Sequence, residues 1–362
     1  MAFAGGYSAG HIIPGLALHE RLSPAIPSLD IVFIGSEEGP ECDFVRREGM
    51  PFTTIPVVSY TDRSFGGKIQ ALVRTLRTLP ASRKILHREK IEVLVVLGSY
   101  VGVAPTLAAV TLGIPVIVFE PNSRFGLANR FCGKLAREVW LSRLWQERTD
   151  LPAKHKVVGV PIRAAIDSLR QRPAMTARIG PWKVLTLGGS RGHNFLNHRA
   201  PALWSALQAL GHLIEVTHIC GVNESTDHVK ELYQREGVSV RVESYVTPLI
   251  PTLGESDFIL TSAGAISLHE IAALRIPCLV VPLKYSSDNH QDTNGEMFCR
   301  ATQALLCRED DWTTEGVTSQ IHDMWKDASA YRSIQDRMAS FNPEQEGLEQ
   351  ILNTVSRLLK VG

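Results

Sequence analysis

The sequence predicts an α/β chain of two doubly wound domains, and three observations carry that expectation. Short β-rich runs alternate with helix-like segments along all 362 residues. Several runs, such as Val93-Leu94-Val95-Val96-Leu97, are apolar at consecutive positions, as in parallel strands covered on both faces. The third observation is a repeat: Ala4-Gly5-Gly6-Tyr7-Ser8-Ala9-Gly10-His11 is echoed by Leu187-Gly188-Gly189-Ser190-Arg191-Gly192-His193. Each reads as a strand, a glycine turn and a helix start, which aims backbone N–H groups and the positive helix end at an anion. The glycine spacing is not the dinucleotide fingerprint, so the repetition matters more than either loop.

Taken in order, the first half places strands at 31–35, 53–57, 92–98, 115–120 and 138–142. Only Met1 to Ala4 precede the first glycines, short for a central strand and consistent with a start further upstream. The second half places strands at 183–188, 215–221, 238–244, 258–261, 278–283 and 304–307. Strand–helix alternation implies right-handed crossovers. A second echo joins the halves: Leu107-Ala108-Ala109, then Ile114-Pro115-Val116-Ile117-Val118, resembles Ile271-Ala272-Ala273, then Ile276-Pro277-Cys278-Leu279-Val280. The boundary falls near Val160-Pro161, giving domains 1–160 and 161–340. Residues 344–360 carry apolar residues at helical spacing (Leu348, Ile351, Leu352, Val355, Leu358, Leu359), so 341–362 is expected to form a terminal amphipathic helix joined to the first domain. Two such domains are expected to hold ligand in a cleft between them, at the carboxyl ends of the strands.

Composition narrows the class. Hydrophobic residues at 44% and charged residues at 21% are those of an ordinary globular protein, and a net charge of +1 gives no general case for nucleic acid. Cys42, Cys132, Cys220, Cys278, Cys299 and Cys307 form no C-x-x-C pair and read as reduced, mostly buried thiols of a cytoplasmic protein. No apolar run approaches the roughly 20 residues of a membrane span, and the amino terminus does not read as a secretion signal.

A more specific cluster is Gly264-Ala265-Ile266-Ser267-Leu268-His269-Glu270, then Pro282, then Asp288-Asn289-His290-Gln291-Asp292-Thr293-Asn294. Together with 4–11, Ile13-Pro14-Gly15-Leu16-Ala17, Gly98-Ser99-Tyr100-Val101, Glu120-Pro121-Asn122 and Gly188-Gly189-Ser190, it resembles the MurG family from about residue 3 to residue 300. Those enzymes transfer N-acetylglucosamine from UDP-N-acetylglucosamine to lipid I, giving lipid II in peptidoglycan synthesis. The resemblance implies the GT-B architecture of two Rossmann-like domains. It also implies a role in cell-wall biogenesis, cell shape and division, at the cytoplasmic face of the cell membrane. The chain departs from the family pattern at Tyr7, Ala9 and Ser99, where glycine is usual, at Ser262, commonly arginine, and at Arg191, commonly glutamine. It reads as a divergent member.

The resemblance assigns residues to roles. Glu270, early in its helix, would accept bonds from the uridine ribose hydroxyls; the alternative is a first-turn glutamate favouring the helix dipole. Gly189, Ser190 and neighbouring N–H groups would hold the donor diphosphate, whose charge grows as the glycosidic bond breaks. No two aspartates stand two positions apart, so the D-x-D metal signature is absent and neither metal nor cofactor is expected. Arg163 and Arg191 are the candidate cations, Arg191 offsetting the arginine missing at Ser262; the alternative is a solvated surface arginine. Asn289, His290, Gln291 and Asn294 suit sugar hydroxyls and an acetamido group, or a helix cap and loop. Ser8, Asn122 and Ala265 complete the donor set, and Gly10, Glu41 and Tyr100 the acceptor side.

His11 is the candidate base or orienting group for the muramyl 4-hydroxyl, since a helix amino terminus favours neutral imidazole. Its alternative is a structural histidine bonded within the loop. The segment 68–90 carries Lys68, Arg74, Arg77, Arg83, Lys84, Arg88 and Lys90 against one acid, Glu89, with Ile69, Leu72, Val73, Leu76 and Leu79 at helical spacing. That is either a basic amphipathic helix on an anionic membrane surface or a domain helix with a solvated basic face. Two rival functions stand beside transfer: a UDP-N-acetylglucosamine 2-epimerase-like isomerase, and a catalytically degenerate sugar-nucleotide binder.

Overall fold

The computed structural model describes residues 1–37, 41–57, 77–169, 180–286, 289–341 and 344–359. The chain divides into two compact units, Met1–Ala164 with Pro343–Gly362, and Ala165–Asn342.

In the first unit β1 (Ala2–Ala4), β2 (Val32–Ser36), β3 (Phe52–Ile55), β4 (Leu94–Val96), β5 (Val116–Glu120), β6 (Glu138–Leu141) and β7 (His155–Val157) form one sheet, ordered β3-β2-β1-β4-β5-β6-β7. Every pairing is parallel. The unbroken apolar runs follow from burial on both faces: β1, β2, β4, β5 and β6 contain only buried residues. The connecting helices are α1 (Ala9–Ala25), α2 (Glu41–Arg47), α3 (Leu79–Arg88), α4 (Val103–Thr111) and α5 (Leu127–Leu135). From β1 the chain winds outward to β3, then returns to β4 on the other side of β1. The loops after β1 and β4 therefore part at a topological switch point, where open α/β sheets bind ligand.

The second unit repeats the plan with β8 (Trp182–Leu187), β9 (Ile214–Ile219), β10 (Val240–Glu243), β11 (Phe258–Thr261), β12 (Cys278–Val280) and β13 (Leu305–Leu306), all parallel, in the order β10-β9-β8-β11-β12-β13. Its helices are α6 (Asn194–Ala209), α7 (Thr226–Arg235), α8 (Ile250–Glu255), α9 (Ala265–Ala273), α10 (His290–Thr302), α11 (Thr314–Lys326) and α12 (Ala328–Phe341). Its switch point lies between β8 and β11. Beneath it Trp182 stacks on Trp325 at 4.2 Å, and Phe258 meets the rings of Trp204 and Trp325 edge-on.

The terminal helix α13 (Glu344–Leu359) packs on the first unit through buried Ile351 and Val355. Gly347 lies so close to Val158 that a Cβ would fall on its carbonyl oxygen. Glu138 anchors the contact. Its carboxylate accepts from Trp140 Nε1 (2.7 Å), Thr354 Oγ1 (3.1 Å) and Arg357 (3.3 Å), and pairs with Lys156 at 3.1 Å. Strand β7 has no counterpart in the sequence reading, because three half-buried residues, His-Lys-Val, at a sheet edge give no apolar run.

All six cysteines are free, and five are buried. Burial pushes the thiols of Cys132 and Cys299 up to about 11 and about 12. No helix among the described residues is long and apolar enough to cross a membrane.

Candidate active site

The first unit brings the β1–α1 loop against the β4 loop. Ser8 is the extended N-cap residue of α1, and His11 stands in its first turn. His11 Nδ1 lies 3.2 Å from Gly6 O and 3.1 Å from Ser8 Oγ. A carbonyl oxygen can only accept, so Nδ1 carries the hydrogen and the lone pair of the neutral ring is on Nε2. The imidazole edge bearing Nε2 faces Gly98. A Cβ at Gly98 would stand 2.5 Å from His11 Cδ2 and 2.8 Å from Nε2, and the residue holds φ +116°. Only glycine serves there.

Glu41, read as an acceptor-side residue, is fully buried. It accepts from the Tyr7 amide at 3.0 Å, the Ser36 amide at 2.7 Å and Ser36 Oγ at 2.5 Å. A side chain on Gly6 would collide with its carboxylate. Its place is therefore behind the glycine loop, bracing it. Gly10 follows in α1. Tyr100 opens the short turn after β4, its ring 6.1 Å from that of Tyr7.

Asn122 is folded onto Glu120. Glu120 Oε1 accepts from the Asn122 amide (3.1 Å) and side chain (3.0 Å), and Oε2 from Asn129 Nδ2 (3.0 Å). Burial pushes the Glu120 carboxyl up to about 7, although these three donors oppose the shift. Glu120 was not singled out for itself; its position, buried at the strand end before Pro121, was the available signal. Arg163, read as a candidate donor cation, is paired within the first unit. Its guanidinium closes on Glu20 and Glu48, each at 2.6 Å, within the first unit, so its charge is neutralised there.

In the second unit the loop after β8 carries Gly189, Ser190 and Arg191, with Ser190 and Arg191 exposed. Gly192 holds φ +87° and presses backbone to backbone on Cys220, where a Cβ would strike the Cys220 carbonyl. Ser262, at the end of β11, faces this loop across the switch point; its Oγ would lie 3.8 Å from a Cβ at Gly189. Ala265 is the first residue of α9 and Glu270 the sixth. Glu270 is buried in the second turn rather than the first, so the helix-dipole alternative loses its basis.

Gln291 and Asn294 converge on Ala263. Gln291 Oε1 accepts the amides of Ala263 (3.1 Å) and Leu283 (3.0 Å), tying together the loops after β11 and β12. Asn294 Nδ2 donates to Ala263 O at 3.1 Å and is wholly buried. Both therefore shape the loop before α9, and His290, half-buried, opens α10 beside them. One pair was missed: His193, the N-cap residue of α6, bonds Glu309 at 3.0 Å. Nothing in the sequence marks Glu309, which lies 116 residues away.

Residues 1–141 match the N-terminal domain of glycosyltransferase family 28, and residues 183–351 its C-terminal domain. The UDP-N-acetylglucosamine--N-acetylmuramyl-(pentapeptide) pyrophosphoryl-undecaprenol N-acetylglucosamine transferase of Lawsonia intracellularis is 32% identical over 336 residues, spanning 90% of this chain and 89% of that protein. The chain belongs to the MurG family. The protein of the same name from Anaeromyxobacter dehalogenans (strain 2CP-C) is 29% identical, over 99% of this chain and 93% of its own length. Among solved structures, Acinetobacter baumannii MurG superposes with a TM-score of 0.77 at 20% identity, covering 98% of each chain. The UDP-GlcNAc 2-epimerase of Neisseria meningitidis gives 0.69 at 14%, also 98% of each. At those identities the likeness is one of fold, which transferases and epimerases share. The MurG-family relatives, at 27–32% over about nine-tenths of the chain or more, separate the two.

Proposed function

We propose that this chain transfers N-acetylglucosamine from UDP-N-acetylglucosamine to the muramyl 4-hydroxyl of lipid I, giving lipid II, with the first unit taking the acceptor and the second the donor. The observation that carries the division is the asymmetry of the two glycine loops. The first presents a histidine whose ring is held by Gly6 O with its lone pair on Nε2. The second is a backbone cradle with exposed Ser190 and Arg191.

His11 Nε2 takes the proton of the 4-hydroxyl as its oxygen bonds to the anomeric carbon. The bond from that carbon to the diphosphate oxygen breaks, and its electron pair leaves with UDP. Backbone N–H groups of 189–191, the α6 amino terminus and Arg191 stabilise that developing charge, Arg191 standing in for an arginine at Ser262, while the Gly192 N–H closes the loop on Gly189 O at 3.1 Å. Attack opposite UDP turns an α-linked donor into a β(1→4) product. Glu270 receives the ribose hydroxyls, Ala265 lies against the nucleotide, and His290, with the Gln291 and Asn294 scaffold, takes the amino sugar. Ser8 and Asn122 are the first unit's candidate donor residues.

The lipid-linked acceptor calls for a peripheral position on the cytoplasmic membrane face. Support comes from α5, which exposes Leu127, Phe131 and Leu135 at four-residue spacing among exposed Arg124, Arg130, Lys134 and Arg137. It packs on α4, which packs on α3, where Arg83, Lys84 and Arg88 are exposed while Ile85 and Leu86 enter the core. Lys68, Arg74 and the apolar residues from Ile69 to Leu76 lie outside the described residues. Radiolabelled transfer to a lipid I analogue tests the reading: labelled lipid product supports it, epimerised free UDP-sugar would reassign the chain, and no turnover would leave a binder.

A further inference from the structure

Two residues that are not glycine hold left-handed backbone in the paired loops of the first unit: Tyr7 at φ 71° and Ser99 at φ 71°. A ring-bearing side chain is disfavoured there, whereas glycine is not. Such a conformation persists only when its surroundings impose it, and it points to a function for the side chain. The surroundings are visible at Tyr7. Its amide is pinned by buried Glu41 at 3.0 Å, and its ring meets the Tyr100 ring edge-on, at 6.1 Å and 64°. Tyr100 in turn packs on the apolar core of the first unit. The backing ring is anchored, and Tyr7 is 38% exposed.

The neighbourhood selects the ligand. Gly6, one residue before Tyr7, holds His11 Nδ1 through its carbonyl, and Ser8, one residue after, contacts the same nitrogen. The Nε2 edge that receives the hydroxyl faces Gly98, two residues before Tyr100, whose ring meets that of Tyr7, so a pyranose carrying that hydroxyl has the Tyr7–Tyr100 pair beside it. An exposed aromatic face suits the C–H face of a sugar while the hydroxyls turn toward polar groups. We propose that Tyr7, backed by Tyr100, is a stacking platform for the pyranose ring of the acceptor, and that its backbone strain is retained for this contact. The inference rests on the first unit being the acceptor side.

The test compares Tyr7→Gly, Tyr7→Ala and Tyr7→Phe in the full chain. Calorimetric titration with a soluble lipid I analogue is run beside radiolabelled transfer and thermal melting. Removing the ring in Tyr7→Gly and Tyr7→Ala is expected to weaken acceptor binding roughly tenfold, with donor KM unchanged, while Tyr7→Phe binds as wild type. Tyr7→Gly is expected to melt above Tyr7→Ala, because only glycine relieves the left-handed backbone. Equal acceptor affinity in Tyr7→Gly and wild type, or donor KM rising in step, overturns the platform. A wild-type chain that binds the analogue without transferring sugar overturns the functional reading and leaves the platform standing. A wild type that does neither overturns both.

Discussion

Glu309 Oε1 stands 3.0 Å from His193 Nε2 and 2.8 Å from the amide of Lys284. One oxygen thus links the loop after β8 to the segment after β12, and Lys284 Nζ closes the connection on Asp310 at 2.5 Å. His193 is 1% exposed, and burial lowers its pKa against the opposing pull of Glu309. The ring is neutral near pH 7, with Nε2–H donating to the carboxylate. The pair holds two loops of the second unit in register.

Glu309→Ala is therefore expected to raise the donor KM roughly tenfold or more, the size of a lost hydrogen bond to a charged group. Acceptor KM should stay put. His193→Gln restores a donor at the Nε2 position without a titrating ring, so its donor KM should approach that of wild type. Steady-state kinetics with each substrate varied separately checks this. If both KM values move together, Glu309 stabilises the unit as a whole and does not position the donor loops.

His11 gives a sharper expectation because Gly98 constrains it from a second loop. His11→Ala should lower kcat by about 10²- to 10⁴-fold, the usual contribution of a positioned base. Gly98→Ala leaves His11 in place chemically but sets a methyl within 2.5–2.8 Å of its ring. Its kcat should fall by a similar order, with donor KM intact. Donor binding by equilibrium dialysis separates the two effects. Full activity in Gly98→Ala would show that the ring position is not what catalysis needs.

Legibility followed the strength of local signals. Consecutive apolar residues such as Val93–Leu97 marked central strands, because burial on both faces leaves no polar position to confuse the pattern. Edge strand β7 offered none of this. The glycine loops were visible because left-handed or close-packed backbone admits few other residues, as at Gly98 and Gly192. What the sequence hid was long-range partnership. Nothing local separates Glu41 facing a substrate from Glu41 bracing Gly6 and Tyr7. Nor does anything local say that Arg163 meets Glu20 and Glu48, or that Gln291 joins the amides of Ala263 and Leu283. A side chain's type is local, and its partner depends on sheet order.

Glu120 makes stability pH-dependent in an unusual direction. With its folded carboxyl at about 7 against an ordinary value of 4.5, the folded chain keeps a proton that the unfolded chain has released. Between those values unfolding releases a proton, so stability falls as pH rises, by up to about 3 kcal/mol in all, and levels off above pH 7. Glu120→Gln cannot titrate and should flatten this slope, gaining relative to wild type at pH 8 over pH 5. Urea unfolding at half-unit pH steps reads it directly. Parallel wild-type and variant profiles would mean that Glu120 ionises normally.

The membrane-facing reading of α5 separates into apolar and electrostatic parts that respond differently to salt. Leu127, Phe131 and Leu135 are 71%, 43% and 38% exposed, on a stretch from Pro121 to Arg137 with four cations and no acid. Phe131→Ser with Leu127→Ser should reduce binding to anionic vesicles at every salt concentration, since buried apolar area is lost. Arg130→Gln with Lys134→Gln should reduce it at low salt and matter little at high salt, where screening already removes the attraction. Transfer to a water-soluble acceptor analogue should be unaffected by either pair, because these side chains project from the outer helix layer. Sedimentation with vesicles of matched neutral and anionic composition provides the measurement. Equal binding to both vesicle types by the wild-type chain would rule out the electrostatic half, and unchanged binding by the serine pair would rule out the apolar half.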